Sequence, residues 1–278
     1  KNCKDENDKI KVANVHAFFG EFVEIDEKKI SEDSSYYFNY ELPAKFEEYV
    51  NGLSASDKEK MMFDVLVLDE AQDFLRSEIL KPLGKILRKG LTWGKWACFY
   101  DDAQNIYNDD FSEGLDYISS FSCTKFRLSK NCRNTSQIVK YCSEKTNIKI
   151  DSQLQEEGEE IIEIKYRNDE EFKSEVKKIT RKIEEGKIPA GDVIFLSPHS
   201  YANSIFAKNG IILRELGREN EEDFRERPYY SSVQAYKGLD SKIAVIADFE
   251  DLPEDKFNKY FYIAGTRARS LLYVMVKG

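Results

Sequence analysis

Short apolar runs alternate along this chain with charged stretches of helical period. Val65–Leu68 (VLVL), Val193–Ser197 (VIFLS) and residues 243–248 (IAVIAD) are continuous runs, too short for helices and without the in-out alternation of a half-wet strand. They predict strands covered on both faces. Further strands are expected at 12–15, 97–100, 161–166, 211–214, 231–235 and 271–276, and helices at 43–51, 75–88, 134–145, 170–185, 200–208 and 256–266. Within 170–185, Phe172, Val176, Ile179 and Ile183 recur every three or four residues, which gives one core-facing stripe. Strands alternating with helices predict an α/β fold with parallel sheets.

At 278 residues and 41% hydrophobic content, two domains are expected. No Pro/Gly/Ser linker separates them, so the boundary rests on motif content and is placed within 123–126, giving domains 1–125 and 126–278. No apolar run approaches the roughly 20 residues of a bilayer span, and no membrane partner is expected. Five cysteines, odd in number and without a C-x-x-C pair, read as reduced thiols of a cytoplasmic protein. A net charge of -9 argues against a broadly basic surface, yet leaves room for a local cationic groove. The sequence opens on Lys1 rather than Met, which suggests an excised or processed piece.

The stretch FDVLVLDEAQDFL, residues 63–75, ends its apolar run on Asp69 and Glu70. Carboxyl ends of strands in open α/β sheets are where ligands bind. An Asp there can hold Mg²⁺, and an adjacent Glu can orient or deprotonate a water. The same pair could instead cap the next helix.

Six segments in all, DEAQD of this stretch among them, bear on that choice. DEAQD (69–73), FYDDAQNIY (99–107), LSKNCRNTSQIVKY (128–141), SSVQAYKGLDSKIAVI (231–246) and YIAGTRARSLLYV (262–274) resemble, in order, motifs II to VI of superfamily 1 DNA helicases of the UvrD/Rep type. VANVHAFFGEF (12–22) is similar to the T-x-H-x-F segment that precedes motif II. The resemblance implies two RecA-like domains of the P-loop NTPase type, with ATP and Mg²⁺ as cofactors and single-stranded or partly duplex DNA as partner. It implies that Asp69 ligates Mg²⁺, Glu70 is the catalytic base, Gln72 senses the terminal phosphate and Gln104 is a second amide near it. Arg133 and Arg267 match two arginines that reach the nucleotide from the second domain, where guanidinium forks suit phosphate oxygens. For most arginines a surface salt bridge is the alternative.

Lys237, Gly238 and Asp240 match the family's K-G-L-E, with Asp shortening the reach to the ribose. Cys132 stands where many relatives carry a Tyr that stacks on adenine. Gln234 and Asn14 replace a His and a Thr, each keeping a hydrogen-bonding group. His16, Phe18, Tyr107, Gln234 and Tyr236 are the candidates for the nucleic-acid track, aromatic faces stacking on bases without reading sequence. For Phe18 a place in the core is an equal expectation.

The family's G-x-x-x-x-G-K-[ST] phosphate cradle does not occur in the 278 residues. Gly84-Lys85, Gly94-Lys95 and Gly186-Lys187 lack both the earlier Gly and the subsequent Ser or Thr. The first domain is therefore expected to be truncated at its amino end, with the cradle upstream of Lys1, an upstream domain of the same chain as a candidate partner, and no ATP hydrolysis by this piece alone. A non-catalytic helicase-like module that binds nucleic acid or a protein is the alternative. A nuclease built on Asp101, Asp102, Asp109 and Asp110 is a weaker one.

Overall fold

The computed structural model describes residues 10–101, 110–128, 131–148, 157–216 and 227–278. By internal contacts the chain divides into Lys1–Lys125 and Phe126–Gly278.

The first unit begins with α1, Val15–Gly20, started by Asn14, whose side chain accepts from the backbone N–H of His16 and Ala17. Asn is among the best N-caps, so in place of the expected strand at 12–15, residues 12–14 lead into a helix that starts at Val15. α2 (Glu27–Tyr36) runs through a π-helical turn, Tyr37–Glu41, into α3 (Leu42–Gly52). α4 (Ala55–Met61), capped by Ser54, leads to β1 (Val65–Leu68). Then come α5 (Ser77–Lys85), α6 (Gly90–Trp93), β2 (Lys95–Cys98) and α7 (Phe111–Ser119). β1 and β2 pair in parallel, from Val65 opposite Lys95 to Leu68 opposite Cys98. One face of this pair enters a core built on Phe18, Phe19, Phe46, Leu75 and Ile79, in which the rings of Phe19 and Phe46 stack at 4.5 Å. The other face is open: Val65 is 54% and Val67 59% exposed, so β1 is not the doubly covered strand its composition predicts.

In the second unit the order is α8 (Ser136–Thr146), β3 (Ile162–Tyr166), α9 (Asp169–Glu185), β4 (Val193–Ser197), α10 (Ile205–Lys208), β5 (Arg214–Glu215), β6 (Tyr229–Ser232), β7 (Ser241–Ile246), α11 (Glu254–Gly265) and β8 (Ala268–Lys277). The six strands form one sheet in the order β3-β8-β7-β4-β6-β5, parallel throughout. β4 is buried along its whole length, as its unbroken apolar run requires. α9 covers the sheet with Phe172, Val176, Ile179 and Ile183, the stripe read from the sequence, and Asn168 caps its first turn. The expected helix at 200–208 is split: a 3₁₀ turn, Tyr201–Asn203, precedes Ser204, which caps the short α10. The chain is thus an α/β protein with parallel sheets. Among the described residues, no helix is long and apolar enough to cross a membrane.

Candidate functional site

In the first unit, the acid pair sits on a turn tied to the end of β2. Phe99 N–H donates to Leu68 O (2.8 Å), and Ala71 N–H donates to Phe99 O (2.9 Å), so backbone pairing continues past both strands. Glu70 takes left-handed dihedrals (φ 50°, ψ 37°), a conformation that costs a non-glycine residue about 1 kcal/mol or more and that persists where surroundings impose it. Gln72 braces the turn. Fully buried, it donates from Nε2 to a Glu70 carboxylate oxygen at 2.6 Å and accepts from Asp101 N–H at 2.9 Å. Asp69 is exposed and accepts from Glu70 N–H at 3.1 Å. Neither acid caps a helix: Glu70 precedes the 3₁₀ turn Ala71–Asp73 without a side-chain cap bond, and the N-cap of α5 is Arg76. Among the described residues no group of three or more His, Cys, Asp or Glu is placed to hold a metal. A single exposed carboxylate still suits Mg²⁺, which commonly takes one or two carboxylates and leaves its other positions to water and phosphate.

Arg76, the N-cap of α5, belongs to a polar cluster. Arg76 Nη1 and the Tyr40 hydroxyl both donate to Asp110 Oδ2, at 3.0 and 2.5 Å, and the hydroxyl's bond raises the Tyr40 pKa. His16 packs its ring against Phe38 at 5.4 Å and faces inward, with Nε2 buried and without a hydrogen-bond partner among the described residues. Burial, and secondarily the charge of Arg76, hold its pKa below the usual histidine value. Phe18 is 8% exposed and packs edge-on against Phe22, Phe46 and Phe63, so it is a core ring rather than a platform for a base. Gln104 and Tyr107 lie outside the described residues.

In the second unit, the structure gathers Arg133, Asp240 and Arg267 around one turn. Gly238 has φ 81°, the left-handed region its lack of a side chain makes cheap, and the turn it allows presents Asp240. Tyr236 is buried, its hydroxyl donating to Asp240 O at 2.9 Å. Its ring therefore offers no face to a nucleic-acid base, contrary to the sequence expectation. Arg267, 1% exposed, donates from Nη1 to Leu239 O (3.1 Å) and from Nε to Ile263 O (3.0 Å), which binds the turn to the end of α11. Asn134 ties in the segment before α8: its Nδ2 donates to Thr266 O at 2.8 Å and Ala268 O at 2.6 Å. Arg133 is thereby held beside Asp240, with Nε 3.6 Å from Oδ2.

Arg269 is not among the residues that the motifs pick out, yet its Nε lies 3.2 Å from the other oxygen of Asp240. Its only mark in the sequence is to be a second arginine two positions after Arg267. Gln234 donates to the Tyr260 hydroxyl at 2.6 Å, and Cys132 is exposed. At the carboxyl ends of β4 and β7, Ser197 Oγ donates to Asp248 Oδ2 at 3.2 Å, and Ile205 N–H donates to the same oxygen at 2.9 Å. Ser197 is fully buried and bonds the carboxylate rather than an imidazole, so this is a stitch between strands and α10, not a hydrolase triad.

No protein-family model matches the chain, and no curated protein matches it. Solved structures do. The C-terminal domain of a possible DNA helicase from Lactobacillus plantarum WCFS1 aligns at 13% identity and a TM-score of 0.38, over 53% of this chain and 89% of that one. The helicase of the virus PRRSV aligns at 14% identity and 0.38, over 75% of this chain. An arterivirus nonstructural protein 10 (helicase) aligns at 12% and 0.39, over 76%. The chain spans 34% and 38% of the two viral proteins. At this level of likeness no family membership follows.

Proposed function

We propose that the chain is the motor-core portion of an ATP-dependent helicase or translocase of the superfamily 1 type, acting on single-stranded DNA. The observation that carries this reading is the turn after β1, where Gln72 holds the Glu70 carboxylate and the Asp101 N–H at once. Asp69, exposed at the strand's end, would hold Mg²⁺, which with ATP supplies neutralised, transferable phosphate. Glu70 would take the proton of the attacking water, with its carboxylate aimed by the Gln72 amide. Because Gln72 also holds the segment after β2, movement there would be felt at the base. Within the second unit, Arg133 would be a phosphate-binding guanidinium, while Arg267 supports the turn that carries Lys237, Gly238 and Asp240.

The test is ATP hydrolysis by the native protein purified from its source, with and without single-stranded DNA. Stimulation by DNA that is abolished in Glu70→Gln is expected; hydrolysis indifferent to that substitution would refute the reading. One observation favours a second reading, a helicase-like module that binds without turnover: the 278 residues contain no G-x-x-x-x-G-K-[ST]. DNA binding with no ATPase in the native protein would select it.

A further inference from the structure

Asp240 is one carboxylate facing two guanidiniums. Arg133 approaches Oδ2 at 3.6 Å and Arg269 approaches Oδ1 at 3.2 Å, each through Nε. The three side chains are 34–53% exposed, so an incoming solute can reach them. Their backbones are fixed: Asn134 fastens the Arg133 segment to Thr266 and Ala268, and Arg267 fastens Leu239, next to Asp240. A ligand therefore needs to move side chains only. Among the described residues this one carboxylate faces two guanidiniums, one at each oxygen, and exposed ion pairs of this kind are weak and readily exchanged. A polyphosphate carries more charge and more acceptor oxygens than a carboxylate, and guanidiniums bind it through paired donors.

We propose that Arg133 and Arg269 form a polyphosphate site in the second unit in which Asp240 stands in for the phosphate when no ligand is bound. Asp240 is then an internal competitor: ligand entry requires it to release both arginines, and Arg269 is a phosphate contact additional to those read from the sequence. This rests on the nucleotide reading above and deepens it.

The experiment titrates the full chain with sodium tripolyphosphate, and separately with ATP, by calorimetry at low salt, with circular dichroism of each variant as the check on folding. Asp240→Asn removes the competitor and is expected to tighten tripolyphosphate binding roughly two- to tenfold. Arg269→Gln is expected to weaken it by a similar factor, and Asp240→Glu, which keeps the carboxylate, to stay near wild type. Binding unchanged or weakened in Asp240→Asn, binding unaffected by Arg269→Gln, or no binding in wild type and Asp240→Asn alike would each overturn the proposal. The two readings fail separately. Tripolyphosphate behaving as described in a native protein without ATPase activity removes the motor reading and leaves the anion site. DNA-stimulated, Glu70-dependent ATPase with tripolyphosphate binding indifferent to Asp240 and Arg269 does the reverse.

Discussion

Asn134→Ala should destabilise the second unit specifically. Asn134 is 8% exposed, and its amide makes three side-chain bonds: Nδ2 to Thr266 O at 2.8 Å, Nδ2 to Ala268 O at 2.6 Å, and Oδ1 from Asn131 Nδ2 at 3.0 Å. Thr266 and Ala268 are themselves buried, so truncation strands two carbonyls away from water as well as deleting bonds. An unsatisfied buried group costs about 1–3 kcal/mol, so two stranded carbonyls give a loss of about 2–6 kcal/mol. With a urea dependence of about 2 kcal/mol per molar, the midpoint should fall by about 1–3 M. The two units need not unfold together, so the probe must distinguish them. Both tryptophans, Trp93 and Trp96, lie in the first unit. Circular dichroism should therefore show the shift while tryptophan fluorescence keeps its midpoint. Asn134→Asp, the same shape with acceptors turned toward two carbonyl oxygens, should be worse than Ala. A change under about 0.5 kcal/mol, or Asp tolerated better than Ala, would refute the reasoning.

Three further outcomes are expected. Gly265→Ala places a methyl 2.4 Å from Cys142 Sγ, which should cost about 1–3 kcal/mol, and adding Cys142→Ala should recover part of it by circular-dichroism melts; a double variant no more stable than Gly265→Ala would contradict the contact. Gly114→Ala puts its methyl 1.9 Å from Leu75 O, a backbone atom that cannot swing away, so tryptophan-detected stability of the first unit should fall by an amount at the upper end of that range. His16 has a folded-state pKa below its unfolded value, so the unfolded chain binds its proton first as pH falls, and the first unit should lose stability below about pH 6.5. His16→Phe, which keeps the ring beside Phe38, should flatten that tryptophan-detected pH dependence; an unchanged slope would assign it to other groups.

Where burial is strong and one-sided, the hydrophobic pattern is legible. Val193–Ser197 is a strand with all five residues buried, and the α9 stripe is the face that covers the sheet. α2 and α4 bury no residue fully, so no apolar stripe announces them; their beginnings lie in the caps Asp26 and Ser54. Residues 12–15 depart from the expected strand for the same reason, since the decisive signal is the Asn14 cap and not the apolar content around it. The composition of β1 predicts cover on both faces but does not say what supplies it, and Val65 and Val67 are open. In the candidate site the acids are legible because they end an apolar run. The Gln72 bridge to Asp101 spans 29 residues, and the Asp240 contacts with Arg133 and Arg269 join segments that only folding brings together, so no local pattern encodes them.

Whether Asp69 and Glu70 serve nucleotide hydrolysis is decided by single-turnover ATP cleavage in the native protein, saturated with single-stranded DNA and Mg²⁺ and compared with Glu70→Gln. The cleavage rate should fall at least about 100-fold in the variant, the scale of general-base catalysis, with nucleotide binding retained. Cleavage at the wild-type rate in Glu70→Gln would remove Glu70 from the chemistry and the motor reading with it.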